Sequence, residues 1–226
     1  MQIKIAIATN INFYKSTLPI VIQSLLDAGL EKSQLFVFNG GYPTKAEKVI
    51  DDITYYELDH NSFEYSPLIE ICERQLESEY WFLIHDTCKV GPMFKSLLYN
   101  VPSTAPDKIA LRTWPSMSIG LYKYSYLLAV KDKILSAKNT DSSRESLLKW
   151  KLWGVGSEDY ILWQTEPAPL RYNTDLLRDQ ECLFVDFNNW YGSDTTRMTE
   201  YYPSLDLYKN KSNWGQSTGE NMFITV

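Results

Sequence analysis

An α/β fold is predicted by three features of the first ninety residues. Short apolar runs of strand length recur at "KIAIAT", "QLFVFNGG" and "YWFLI". Segments with helical spacing lie between them, and glycines or polar residues end the runs. Continuously apolar strands suit a parallel sheet buried on both faces, and intervening helices supply the crossovers that parallel strands require.

Each element follows from local pattern. After "KIAIAT", the segment "STLPIVIQSLLDAGL" places Leu18, Ile22, Leu25 and Leu26 at helical spacing and closes near Gly29. "QLFVFNGG" is the next strand and "ITYYELD" the third. "SPLIEICERQLES" reads as a helix, the strand at Tyr80 to Ile84 comes next, and "GPMFKSLLYN" suggests another helix. These hundred residues have the order of a Rossmann-like half. Beyond them, "IALRTWPSMSIGLYKYSYLLAV" predicts strands, or a strand and a helix, around Gly120, and "DSSRESLLKWKLW" predicts a helix. In "GVGSEDYILWQ" two glycines precede the carboxylate pair Glu158-Asp159 at an expected helix start, where the helix dipole by itself favours acidic residues. The segment from "VDFNNWYGSDTTRM" to "YYPSLDLYKNKSNWGQ" has little periodicity and reads as a long ordered loop, a lid or a frayed terminus.

Composition narrows the function. With 226 residues, 44% hydrophobic and 22% charged, the chain is expected to form one globular domain. A net charge of −6 argues against general nucleic-acid binding, which needs a basic face. Three scattered cysteines, Cys72, Cys88 and Cys182, suggest neither a disulfide framework nor a C-x-x-C metal site and fit a reducing compartment. No run approaches the roughly 18 to 20 apolar residues of a membrane helix, and "MQIKIAIATN" lacks a signal-peptide layout, so a cytoplasmic location is expected. The 16 Tyr and 7 Trp suit a core or stacking platforms.

Ligands of open α/β sheets bind outside the carboxyl ends of the strands. "TNIN", "DHNSFEYS" and "HDTC" are therefore expected at one polar edge. The loop "TNINFYKST" has no G-x-G-x-x-G fingerprint, which argues against a nicotinamide or flavin site of that type. Asp86, directly after an apolar strand, suits either a turn or a functional carboxylate.

In chain order, "DHNSFEYSPLIEICE", "FLIHDTCKVGP", "WGVGSEDYILW" and "YYPSLDLYKNKSNWG" resemble the GT-A glycosyltransferases, and among them the compact domains encoded by large viruses of algae. The resemblance spans nearly the whole chain. It implies a GT-A-like, mostly parallel sheet flanked by helices, with residues 1–100 as the nucleotide-binding half and 101–226 as the acceptor-binding half and C-terminal lid. It also implies a host-cytoplasmic setting if the chain is viral, a UDP-linked nucleotide-sugar donor, and a divalent metal, Mn²⁺ or Mg²⁺, held at Asp86. The motif departs from the family's D-x-D pattern, because Cys88 stands where a second aspartate is expected. A uridine is implied near Thr9, Asn10 and Asn61, with Tyr14 available for stacking, although Thr9, Asn10 and Asn61 also suit turns or caps and Tyr14 a core.

The chemistry of such a transfer suits the same residues. A leaving nucleoside diphosphate gains negative charge, which a cation must meet. Mg²⁺ is commonly held by one or two carboxylates plus phosphates, so Asp86 can serve alone, with His85 a further contact for Mn²⁺. Lys209 and Lys211 suit the phosphates. Asp159, or Glu158 beside it, suits the general base that takes the acceptor's proton, which would give a single displacement with inversion. Alternatives are a sugar nucleotidyltransferase, a thiol hydrolase using Cys88 with His85, and a non-catalytic nucleotide-sugar or glycan-binding module.

Overall fold

The computed structural model describes residues 1–11, 14–100, 108–110, 119–141, 143, 146, 175–178 and 197–212. In chain order the elements are β1 (Ile3–Asn10), α1 (Tyr14–Asp27), β2 (Leu35–Gly40), β3 (Ala46–Ile50), β4 (Ile53–Leu58), α2 (Ser66–Arg74) and β5 (Tyr80–His85). There follow β6 (Cys88–Val90), α3 (Phe94–Asn100), β7 (Lys108–Ala110), β8 (Gly120–Lys123), α4 (Tyr124–Ala129), α5 (Lys131–Ser136), β9 (Asp175–Arg178), β10 (Arg197–Tyr202) and β11 (Leu207–Ser212). The chain divides into two compact units that interleave along the sequence. Unit 1 comprises Met1–Ile11, Glu31–His85 and Val101–Arg171, and unit 2 comprises Asn12–Leu30, Asp86–Asn100 and Tyr172–Val226. Each compact unit draws on three stretches of chain.

Unit 1 is a mixed α/β unit around a seven-stranded sheet of order β3-β4-β2-β1-β5-β8-β7. The four central strands are parallel: β1 lies between β2 and β5, and β2 pairs with β4. β3, β8 and β7 extend the two sides antiparallel. The central position of β1 follows from its composition, since Ile3, Ile5, Ala6 and Ile7 are fully buried. Burying each of the three isoleucines contributes about 1.5–3 kcal/mol. Much of the aromatic load is core here: Phe36 meets Trp81 edge-on at 5.2 Å, and Phe38 stacks on Tyr56 at 5.1 Å.

Two local features depart from the expected pattern. β3 joins β4 through Asp51-Asp52, both with positive φ (53° and 64°), a two-residue turn whose twist matches a hairpin. The sequence does not advertise it, because Asp-Asp lacks the glycine usual in such turns. α2, expected to run on toward Ser78, stops at Arg74, where Gln75 adopts a left-handed φ of 55° and the Leu76 N–H donates to the Ile71 carbonyl at 3.1 Å.

Unit 2 contains α1, α3 and a four-stranded antiparallel sheet of order β6-β11-β10-β9. Gly29 ends α1 as its sequence suggests: at φ 87° it lets the Gly29 N–H reach the Leu26 carbonyl and the Leu30 N–H reach that of Leu25. The expectation of a loop is corrected for residues 197–212. They form the hairpin β10–β11, turned by Pro203 to Asp206, because strand-forming Tyr, Thr and Leu side chains flank a turn in which Asp206 takes φ 49°. Among the described residues no helix is long and apolar enough to cross a membrane.

Candidate functional site

The parallel strands of unit 1, numbered by their order along the chain, lie in the spatial order 3-2-1-4, so the connection direction reverses between β1 and β5. A crevice outside the carboxyl ends of strands is expected at such a reversal. β1 ends in Thr9 and Asn10, and β5 ends in His85 opposite Ala8. On the other side of β1, Thr9 is in register with Asn39 and Asn10 with Gly40. Thr9 and Asn39 are buried, whereas Asn10 and His85 are partly exposed.

The end of β2 is shaped by glycine. A Cβ on Gly40 would lie 3.0 Å from the His60 carbonyl oxygen, and Gly41 has a φ of 98°. The close approach lets the Gly41 N–H donate to the carbonyls of Leu58 and His60, and the Tyr42 N–H to Leu58. Beside this turn, the Asn39 amide Nδ2 donates to the Tyr42 hydroxyl at 3.1 Å. Its Oδ1 is buried and has no hydrogen-bond partner among the described residues. Asn39 was not among the sequence candidates. Its signal was available: a polar residue closing a buried apolar run immediately before two glycines.

Asn61 is brought to the same end of the sheet, but its groups are occupied locally. Its side-chain Oδ1 accepts the Phe63 N–H at 3.3 Å, an Asx-type turn, and its backbone exchanges bonds with Asn139. Asn61 thus forms a local turn one residue ahead of Ser62, the N-cap of the short 3₁₀ turn Phe63–Tyr65, and is not itself the cap.

A second polar cluster in unit 1 was not anticipated. The fully buried Glu70 carboxylate accepts from Lys45 Nζ at 2.6 Å and Arg74 Nε at 2.6 Å, and lies 3.2 Å from His60 Nε2. Burial opposes the charged form, but the bonds from His60, Lys45 and Arg74 outweigh it and hold the Glu70 carboxyl well below the ordinary carboxylate range. His60 Nδ1 lies 2.9 Å from Ser62 Oγ, which also accepts the Asn139 N–H at 2.8 Å. Ser62, His60 and Glu70 thus share the connectivity of a nucleophile, base and carboxylate. All three are completely buried, and the serine oxygen is already bonded to backbone, so no reacting carbonyl can approach. The cluster ties the start of α2 to the segment after α5.

In unit 2, Asp86 is only 7% exposed, and its Oδ2 accepts the Thr17 hydroxyl of α1 at 2.8 Å. Tyr14, at the start of α1, is partly exposed. Lys209 is buried on β11, opposite Cys88 of β6 and Glu200 of β10. Lys211 lies on the same strand opposite Met198. The expected loop lysines are therefore strand residues. Near them, Asp206 fixes the hairpin turn: its carboxylate accepts the Met93 N–H at 3.0 Å and the Tyr201 hydroxyl at 3.2 Å, and its carbonyl accepts the Gly91 N–H at 2.7 Å. A Cβ on Gly91 would fall 2.1 Å from the Asp206 Oδ2.

Cys88 is completely buried, which does not suit a nucleophile that must meet a substrate. Among the described residues no group of three or more His, Cys, Asp or Glu side chains is placed to hold a metal ion. Asp86 offers one carboxylate, a donor set suited to a hard cation that takes its other oxygens from phosphates and water. Glu158 and Asp159 lie outside the described residues. Compared with known proteins, the chain matches no protein-family model and no curated protein sequence.

Proposed function

We propose that the chain is a GT-A-like glycosyltransferase that moves a sugar from a nucleoside diphosphate sugar, expected to be UDP-linked, to an acceptor hydroxyl with divalent-metal assistance. The observation that carries this reading is the parallel order of β4-β2-β1-β5, with Thr9, Asn10 and His85 at the carboxyl ends flanking its reversal point. Such an edge suits a nucleotide, and the motif residue Asp86 follows His85 directly in the chain.

On this reading Thr9, Asn10 and Asn61 border the nucleoside, Tyr14 supplies a stacking face, and Lys209 and Lys211 complement phosphate charge. Asp86 would hold Mn²⁺ or Mg²⁺, which supplies positive charge to the leaving diphosphate. Thr17 donates to one oxygen of Asp86 and so orients the carboxylate. Asp159 is assigned as the base that accepts the acceptor's proton, with Glu158 beside it, and direct attack on the anomeric carbon gives inversion.

A panel of nucleotide sugars incubated with Mn²⁺ or Mg²⁺ tests the reading through release of nucleoside diphosphate. Release from one donor class, abolished by Asp86→Ala and reduced on the order of 10²–10⁴-fold by Asp159→Asn, is expected. Absence of both binding and release across the panel overturns it. The single carboxylate at the acidic motif favours a second reading, a module that binds a nucleotide sugar without turnover. Tight binding with no product, even with acceptor mixtures present, would select that reading.

A further inference from the structure

Asn139, just beyond α5, is buried, and each of its backbone and amide polar groups is engaged. Its N–H donates to Ser62 Oγ at 2.8 Å, and its carbonyl accepts the Asn61 N–H at 3.0 Å. Its amide Nδ2 donates to the Asn61 carbonyl at 3.2 Å and to the Asp141 carbonyl at 3.1 Å, while Oδ1 accepts the Ser146 hydroxyl at 3.2 Å. The partners fix the orientation of the amide. Two carbonyls need a donor, and the reversed amide would set oxygen against oxygen. A turn-forming asparagine needs only local partners, yet the bonds to Asn61 and Ser62 span 78 and 77 positions of the chain.

One residue therefore grips Asn61 at both its N–H and its C=O. The end of β2 holds it from another direction, because a Cβ on Gly40 would lie 3.4 Å from the Asn61 Cα. The Asn61 amide follows from this placement: Oδ1 is committed to the Phe63 N–H, and Nδ2 lies 3.7 Å from the position of a Cβ on Gly41. A short side chain on a fixed backbone has little freedom, so any displacement of the Asn61 main chain passes directly to Nδ2.

We propose that Asn139 is a positioning residue for the donor edge. It holds the Asn61 main chain and so aims the Asn61 Nδ2–H group at the nucleotide, and it joins that edge to the segment containing Asp141 and Ser146. The amide of Asn139 is required because it supplies two donors and one acceptor at one side-chain length, which neither aspartate nor serine can do. The inference rests on the nucleotide-sugar reading above, under which Asn61 borders the nucleoside, and deepens it by naming the residue that sets Asn61 in place.

A double-mutant cycle on the intact chain, with UDP and Mn²⁺ in a calorimeter, tests it. Asn139→Ala is expected to weaken UDP binding by about tenfold or more in the wild-type background, and by less than about twofold once Asn61→Ala has removed the group it aims. A merely structural role would lower the affinity equally in both backgrounds. Equal losses, no loss in either, or unchanged affinity in Asn61→Ala alone overturns the inference while leaving nucleotide binding by the chain intact. If Asn139→Ala fails to fold, Asn139→Ser, which keeps one donor, takes its place in the same cycle with the same criteria. Failure of the wild-type chain to bind any nucleotide overturns both the inference and the reading on which it rests.

Discussion

Glu70 and Asn39 are both buried polar residues of unit 1, yet their surroundings differ in kind. Glu70 accepts bonds from two cations and faces a histidine, and each neighbour has further partners: Lys45 also reaches Glu73, Arg74 lies 3.7 Å from Glu47, and His60 reaches Ser62. Asn39 has one bond and one unmet end. A network closed on itself specifies how segments pack, whereas a group left open at a strand's carboxyl end is a candidate for recognition. Chemical similarity to a catalytic triad therefore counts for less than whether each buried group's hydrogen bonds are already met.

The strongest way to break the closed cluster is Glu70→Ala. Removing the carboxylate leaves Lys45 and Arg74 without their central partner and should destabilise the fold by about 3–5 kcal/mol, the range for breaking a buried ion pair from one side. Urea denaturation measures this, and a loss under about 1 kcal/mol would mean that solvent already screens the cluster.

Ser62→Ala should cost less, about 1–3 kcal/mol, because it strands the Asn139 N–H and removes the partner of His60 Nδ1 while sparing the ions. The same denaturation measurement applies. Unchanged nucleotide binding in this variant, once a binding nucleotide is in hand, would keep the cluster structural.

Acid sharpens the contrast further. The Glu70 carboxyl is held below its ordinary value of 4.5 in the folded state, so its stabilisation is complete above that pH and fades as the pH falls from there toward the folded value. Glu73 is also lowered: burial opposes its ionisation, and bonds from Lys138 and Lys45 more than offset that. Stability measured by urea midpoints should fall below about pH 4.5, and more shallowly in Glu70→Gln. Parallel curves for the two proteins would detach Glu70 from the acid response.

The smallest expected effect carries the opposite sign. Asn39→Leu removes a buried polar group that is only half satisfied and should change stability by no more than about 1 kcal/mol, toward stabilisation. Differential scanning calorimetry detects the shift, and clear destabilisation would move Asn39 into the structural class with Glu70.

Much of unit 1 was legible from side-chain type alone. The runs containing Ile5, Val37 and Phe82 could be only buried strands, and glycines marked where β2 and α1 end, because burial of apolar surface and positive φ are demands that single residues announce. The same reading located Thr9, Asn10 and His85 at strand ends and Asn61 in the segment after β4. It did not find Glu70, a carboxylate within the apolar helix segment "SPLIEICE", since its partners Lys45 and His60 come from elsewhere in the chain. Nor did it find the β10–β11 hairpin, whose pairing with β6 joins residues more than a hundred positions apart.

The sequence by itself determined the strands β1, β2, β4 and β5 and the start of the helices between them, because those preferences act over a few residues. It did not determine the end of α2 or the hairpins β3–β4 and β10–β11. Tertiary structure decided which buried polar groups are completed and which are not. Glu70 is satisfied by Lys45 and His60, and Asn39 is left with one open end, because hydrogen bonds depend on distances and angles that only long-range packing sets.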